Sequence, residues 1–239
     1  MKKIINKFLD LLAPDDIKCI VCDAELPKDN DYGLCNNCYN KLPKITKPCE
    51  KCGREIFDDG KYCFDCKEGG FVFDKVYSCL NYEDYVVSMV YRLKYSGEKY
   101  LAKYMAKVIA DKIIAEKISF DIFTFVPLNI NREKERGFNQ AKLIVDEVAK
   151  YIQKETIALL ERVRNTPFQA SLIREERLIN LKDAFEVIDK KVVKGKTILL
   201  LDDIFTTGST INECSKVLKK SGAKAVVGIT FAHAKKKFV

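Results

Sequence analysis

The stretch Ile198-Leu199-Leu200-Leu201-Asp202-Asp203-Ile204-Phe205-Thr206-Thr207-Gly208-Ser209-Thr210 limits the choice of fold more than any other part of the chain. Four apolar residues in a row, Ile198 to Leu201, predict a strand buried on both faces, as in a parallel sheet. Asp202 and Asp203 stand where that strand is expected to end. A hydroxyl-rich loop with one glycine follows, Thr206 to Thr210. Then Ile211, Cys214, Val217 and Leu218 recur at helical spacing. In an open α/β sheet, ligands bind beyond the carboxyl ends of the strands. A loop feeding a helix N-terminus offers free backbone N–H groups and the positive end of the helix dipole, which suits a phosphate. Thr206, Thr207, Ser209 and Thr210 add hydroxyl donors, and Gly208 lets the backbone approach an anion. The two carboxylates repel phosphate but accept hydrogen bonds from vicinal hydroxyls. A diol beside a phosphate describes a ribose 5-phosphate.

The chain has 239 residues, enough for one full domain and a smaller one, and 47% of them are hydrophobic. No apolar run approaches the ~20 residues of a membrane span. Met1 to Leu12 carries two lysines and then apolar residues interrupted by Asn6, Lys7 and Asp10. That pattern predicts an amphipathic helix with Ile4, Ile5, Phe8, Leu11 and Leu12 inward rather than a secretory signal, and a cytoplasmic protein.

Eight of the ten cysteines form four Cys-x-x-Cys pairs: Cys19/Cys22, Cys35/Cys38, Cys49/Cys52 and Cys63/Cys66. Without a secretory signal, metal thiolates explain them better than disulfides. Each pair is one knuckle, and two knuckles complete a tetrahedral four-cysteine site, so two structural Zn²⁺ are expected. Twelve residues separate the first two knuckles and ten separate the last two. Sequential ribbons are the simplest pairing; an interleaved one stays open. All ligands are protein-derived, which leaves no open position for metal catalysis. The formal net charge is +8. Eight thiolates with two Zn²⁺ bring it to roughly +4, which allows a polyanionic partner without requiring one.

Gly69-Gly70 marks the expected boundary between a cysteine domain, 1–70, and an α/β domain, 71–239. Phe71 to Tyr82 reads as one or two strands, and Tyr85 to Tyr95 and Lys99 to Lys117 as helices. Ile122 to Val126 is a second buried strand. A polar loop with Arg132, Lys134 and Arg136 is expected after Pro127, with Gly137 opening the next helix. A basic loop there suits a second anion. Strands near 122–126, 156–161, 197–201 and 225–232 are expected to form the centre of the sheet. Gly195-Lys196-Thr197 is not a P-loop, because the first glycine would fall at Lys190 and a strand follows instead of a helix. His233, the only histidine, and Cys214 are expected to be structural. The tail Lys235 to Lys237 reads as a solvated terminus.

The Ile198–Thr210 stretch resembles the signature of type I phosphoribosyltransferases, with Phe205 where a smaller aliphatic is typical. Further residues narrow the likeness: Leu93-Lys94-Tyr95 before Gly97, Val126-Pro127-Leu128, Arg132, and Arg136-Gly137-Phe138-Asn139-Gln140-Ala141. Arg164-Asn165-Thr166-Pro167-Phe168-Gln169 follows, with Leu172, Arg177, Asn180 and Ala184-Phe185. Together with the double cysteine ribbon, these resemble the ComF family of competence-linked, phosphoribosyltransferase-like proteins, over nearly the whole chain. The likeness departs at Asn129, where relatives commonly carry a histidine, so no histidine role passes to that position.

The resemblance implies a Rossmann-like parallel sheet behind a double zinc ribbon. It implies a site for phosphoribosyl pyrophosphate (PRPP), with the 5′-phosphate in Thr206, Thr207, Gly208, Ser209 and Thr210 and the ribose hydroxyls on Asp202 and Asp203. Arg132 and Arg136 would take pyrophosphate, and Mg²⁺ would enter with PRPP. In a transfer reaction the carboxylates would stabilise positive charge on the sugar. It also implies a role in natural transformation, with single-stranded DNA and other DNA-uptake or recombination proteins as partners. Three functions remain open: a PRPP-binding protein assisting transforming DNA, a salvage-type transferase, and a zinc-ribbon adaptor with a vestigial PRPP site.

Overall fold

The structure is a computed structural model that describes residues 18–164, 181 and 183–235. The expected helix over Met1 to Leu12, the motif residues Asn165 to Gln169 with Leu172, Arg177 and Asn180, and Lys236 and Lys237 lie outside them. The chain divides into two compact units, Met1–Leu42 and Pro43–Val239.

The division falls between two copies of one small device. In the first unit Cys19 N–H donates to the Ala24 carbonyl at 2.8 Å and Asp23 N–H returns to Cys19 at 2.9 Å. In the second, Cys49 N–H donates to Arg54 at 2.6 Å and Gly53 N–H to Cys49 at 2.9 Å. Each knuckle turns through a residue of positive φ, Asp23 at 58° and Gly53 at 72°. A short helix follows the third cysteine of each set: α1 (Asn36–Asn40) after Cys35 and α2 (Phe64–Lys67) after Cys63. The four sulfurs of Cys19, Cys22, Cys35 and Cys38 lie within 4.8 Å of one another, and so do those of Cys49, Cys52, Cys63 and Cys66. The pairing is therefore sequential. Cys22 and Cys35 sulfurs are 3.6 Å apart, as are those of Cys52 and Cys63. That is close to the ~3.8 Å edge of a tetrahedron of ~2.3 Å Zn–S bonds and far from a ~2.05 Å disulfide. These are two closed zinc sites, each of four cysteines.

The second unit is an α/β sandwich. Its sheet contains β1 (Lys75–Asn81), β2 (Ile122–Phe125), β5 (Thr197–Phe205) and β6 (Ala225–His233), in the order β1-β6-β5-β2 and all parallel. Helices α3 (Asp84–Tyr95), α4 (Leu101–Ala115), α5 (Ile130–Arg136) and α6 (Gln140–Ile152) lie before and after β2. Helices α4 and α6 pack on each other and cover one sheet face. On the opposite face Ile198, Leu200, Val226 and Val76 share a core with Ile211, Cys214 and Leu218 of α8 (Ser209–Lys220). An antiparallel pair, β3 (Leu160–Arg162) with β4 (Phe185–Val187), lies there too, and α7 (Lys190–Val193) leads into β5. No helix of the described residues is long and apolar enough to cross a membrane.

Three expectations change. The segment expected as a strand at 156–161 touches the sheet only at its start. Thr156 bridges Phe123, and Leu160 then turns away to pair with Val187. Apolar alternation specifies a strand but not its neighbour. The polar loop after Pro127 is helical: Asn129 caps α5 by accepting from Asn131 N–H at 3.0 Å, and Gly137 ends it at φ 80°. Finally, β5 does not stop at Leu201. Asp202, Ile204 and Phe205 continue in register with Thr230, Ala232 and His233 of β6, which supply backbone partners past the apolar run.

The second zinc ribbon is part of this unit's core. Cys49, Cys52, Ile56 and Cys63 are buried together with Phe73, Val76 and Phe205. The ribbon is also tied along β1: Val76 N–H donates to Lys51 at 2.8 Å, and Asn81 Nδ2 to Glu55 Oε2 at 2.5 Å. A Cβ on Gly53 would stand 2.7 Å from the Val76 carbonyl oxygen, so the knuckle and strand meet only because residue 53 has no side chain.

Candidate functional site

The carboxyl ends of β2 and β5 are neighbours, with Phe125 opposite Leu201 and Val126 N–H donating to the Leu201 carbonyl at 2.9 Å. Each strand delivers one part of the site. From β5 come Asp202 and Asp203, then the Thr206–Gly208 turn and the first turn of α8. From β2 come Pro127, α5 and α6.

Asp202 and Asp203 are 9% and 4% exposed, far more enclosed than strand-end residues facing solvent. Asp203 N–H donates to Asp202 Oδ1 at 2.9 Å. Burial, reinforced by the charge of Asp203, pushes the Asp202 carboxyl well above the ordinary range. The same burial acts on Asp203, but the Lys94 ammonium, the hydrogen bond from Asp202 and the Arg136 charge outweigh it and hold Asp203 low. Of the two, Asp203 is therefore the carboxyl held ionised, against Lys94, and Asp202 the one whose burial favours the neutral form. Lys94 sits in the last turn of α3 and reaches Asp203 from there.

The turn after β5 is shaped by an aromatic group. Gly208 is the αL N-cap of α8, at φ 78°. A Cβ there would run into the Phe205 ring and approach Phe71 Cε1 at 3.0 Å. Phe205 lies beneath the turn, stacked on His233 with centroids 4.6 Å apart and edge-on to Phe71 and Phe73 at 6.3 and 6.1 Å. The unusual phenylalanine of the motif is therefore a packing residue that seats the loop. Thr207 and Ser209 hydroxyls are 2.7 Å apart. The first N–H groups of α8 have no partner within the helix, as at any helix start. His233 is 1% exposed, and burial with the Arg54 charge lowers its pKa to about 4, so it is neutral and structural. Cys214 is fully buried on α8, as expected of a core residue.

The motif Arg136 to Ala141 resolves into local physics. Arg136 donates to Gln140 Oε1, and Asn139 caps α6 by accepting from Ala141 and Lys142 N–H. Asn139 Nδ2 also donates to the Val126 carbonyl at 3.1 Å, clipping the α5–α6 turn to the end of β2. The result is a cleft of about 380 Å³ between α5 and the α3–α4 turn, lined by Lys94, Tyr95, Gly97, Arg132, Arg136 and Phe138, among others. Arg136 stacks over Tyr95 at 5.3 Å, and Lys99 over Phe138 at 4.9 Å. Burial lowers the Arg136 pKa, and the Asp203 charge offsets part of that.

The structure thus gathers Asp202, Asp203, Arg132 and Arg136 into one region, with Thr206, Thr207, Gly208, Ser209 and Thr210 continuing directly from the acid pair. Lys94 is the residue that sequence reasoning left without a role. Its signal was present in Leu93-Lys94-Tyr95, but a lysine in the last turn of a helix is already explained by the helix dipole.

A double zinc ribbon domain family matches residues 8–67, and a phosphoribosyl transferase domain family matches residues 139–237. Competence protein ComFC of Streptococcus pneumoniae is 31% identical over 224 residues, which cover 88% of this chain and 97% of that protein. Competence protein F of Haemophilus influenzae is 27% identical, over 88% of this chain and 94% of that protein. DNA utilization protein YhgH of Salmonella typhimurium is 27% identical, over 87% and 93%. With two four-cysteine ribbons, a parallel α/β sheet and this extent of likeness, the chain belongs to the ComF family of competence-linked, phosphoribosyltransferase-like proteins.

Proposed function

We propose that this chain binds PRPP and assists the handling of incoming single-stranded DNA. One observation carries the PRPP half. A buried acid pair, one member of which is paired with Lys94, stands between a hydroxyl-rich helix start and a cleft with two guanidinium groups. The names of its relatives, competence protein and DNA utilization protein, support the DNA half. The reading places the protein in the cytoplasm, with DNA-uptake or recombination proteins as partners.

In this reading the 5′-phosphate takes the N–H groups and hydroxyls of Thr206 to Thr210. Ionised Asp203 accepts from one ribose hydroxyl, while Asp202, whose burial favours the neutral form, contacts the other. Arg132 and Arg136 face the pyrophosphate, and Lys94 changes partner from Asp203 to the incoming anion. The acid pair offers hard oxygen donors that suit Mg²⁺, and Mg²⁺ bound with PRPP would neutralise pyrophosphate charge there.

A second reading, transfer to an acceptor, is favoured by the cleft itself. Its volume lies in the range of small-molecule sites, and Tyr95 and Phe138 offer aromatic walls to a planar base. The bond from the anomeric carbon to the pyrophosphate oxygen breaks, and that oxygen keeps the electron pair. The acceptor's lone pair forms the new bond and its proton passes to Glu135, the carboxylate lining the cleft. Calorimetry with PRPP and Mg²⁺, repeated with single-stranded DNA, tests the first reading, and the absence of PRPP binding removes it. PRPP consumption that depends on one added acceptor establishes the second. DNA binding that ignores PRPP would favour an adaptor with a vestigial site.

A further inference from the structure

Three large side chains run along the outward face of α3. Val87, Tyr91 and Tyr95 follow at four-residue steps and are 37%, 59% and 55% exposed. Residues so spaced are neighbours on a helix surface. The rings of Tyr91 and Tyr95 stand 5.0 Å apart, tilted by 43°. Neither ring is stabilised by burial in the core, and scattered single exposure does not describe a contiguous pair.

The stripe leads to the cleft. Tyr95 lines it, with Arg136 over its ring, and Lys99 stands over Phe138 on the same rim. Two acids stand there: Glu98 is held by Arg92 at 2.6–3.0 Å, and those hydrogen bonds keep its pKa low, while Glu135 lines the cleft alongside Lys94, Arg132 and Arg136, which outnumber it. The surface therefore offers water-facing aromatic rings beside cations. This combination recognises an unpaired polynucleotide strand, whose bases have free π-faces and whose phosphates need cations. A duplex hides those faces, and a basic surface alone would not distinguish the two.

We propose that this face of α3 is the single-stranded DNA site, with a base stacked on Tyr91 and phosphates on Lys99 and Arg136. The proposal rests on the DNA-handling reading and adds where, and by what chemistry, the strand is held. It predicts little preference among bases, because every base stacks. Since Arg136 also faces the pyrophosphate in that reading, the strand runs to the mouth of the PRPP cleft.

The test is fluorescence anisotropy at low salt with the zinc-loaded full chain and a labelled oligothymidylate of about 20 nucleotides. Tyr91→Ala and Tyr91→Leu should weaken binding by about 5- to 150-fold, the range for one lost base stack, and Tyr91→Phe should stay within about twofold. A duplex of the same length should be insensitive to Tyr91. PRPP titration of Tyr91→Ala should be unchanged, because Tyr91 lies outside the cleft, and this doubles as the check that the variant is folded. If Tyr91→Ala binds the oligomer as tightly as the native chain, the strand lies elsewhere and the proposal is wrong, while the DNA-handling reading stands. If the native chain binds no oligomer at low salt, that broader reading is wrong as well.

Discussion

At the scale of residues, Asp202 and Asp203 are adjacent and chemically identical, yet their surroundings divide them. Lys94 stands beside one and not the other. Asp202→Asn replaces a carboxyl whose burial disfavours its charge and should change stability by less than about 1 kcal/mol. Asp203→Asn leaves the Lys94 ammonium without its partner, in a place where it is only 17% exposed. That should cost about 2–4 kcal/mol, somewhat below a fully enclosed pair. Asp203→Asn should weaken PRPP binding by about 10- to 150-fold, since it removes a hydrogen bond to a charged group worth ~1.5–3 kcal/mol, and Asp202→Asn by about 2- to 13-fold, since a bond to a neutral carboxyl is worth ~0.5–1.5 kcal/mol. Urea unfolding and PRPP titration on the two variants check this; equal destabilisation would contradict the unequal charge of the pair. The carboxylates were legible in the sequence because two acids directly after Ile198 to Leu201 interrupt a run that otherwise predicts only burial. Their unequal charge was not, because it depends on a lysine more than one hundred positions away.

At the scale of elements, each motif resolves into a cap, a turn or a packing contact. Gly208 combines a left-handed backbone with the Phe205 ring beneath it. Gly208→Ala should therefore cost about 2–4 kcal/mol, from αL strain and overpacking together, and weaken PRPP binding by distorting the α8 start. A melting curve and a PRPP titration measure both effects. The second ribbon behaves as an element of the sheet, because Cys52 and Cys63 share the core with Phe73 and Phe205. Purified protein should carry two Zn²⁺ per chain. Cys35→Ser and Cys52→Ser should each lose one, by elemental analysis. Cys52→Ser should also cost the second unit about 3 kcal/mol or more, a drop of about 6–12 °C in its thermal midpoint. An unchanged midpoint would show that the metal does not support this core. The cysteine spacing announced both sites, but not that one of them is built into the α/β core. Ribbon spacing encodes metal ligands, whereas Gly53 against β1 is a contact between distant segments.

At the scale of the whole molecule, the aromatic group joining the zinc ribbon, β5 and β6 predicts an acid response. His233 is buried against Phe205 with its pKa lowered to about 4, against about 6.5 unfolded. The unfolded chain therefore binds the extra proton first. This contribution is fully present above pH ~6.5 and is lost as pH falls toward 4, by up to about 3 kcal/mol. Zinc release adds its own acid sensitivity, so the comparison is with His233→Gln, which should flatten the slope of stability between pH 6.5 and 4. Equal slopes in urea midpoints would sink the assignment. The sequence alone determined the α/β class, the eight metal ligands, and the strand–acid–loop–helix unit, because each is written in neighbouring residues: runs, spacings and caps. Only the tertiary structure decided that β1 pairs with β6 and that residues near 156–162 leave the sheet. It alone seated the second ribbon in the core and set Lys94 against Asp203. Those outcomes depend on which distant surfaces bury one another and which charges meet out of water, and local sequence carries no record of either.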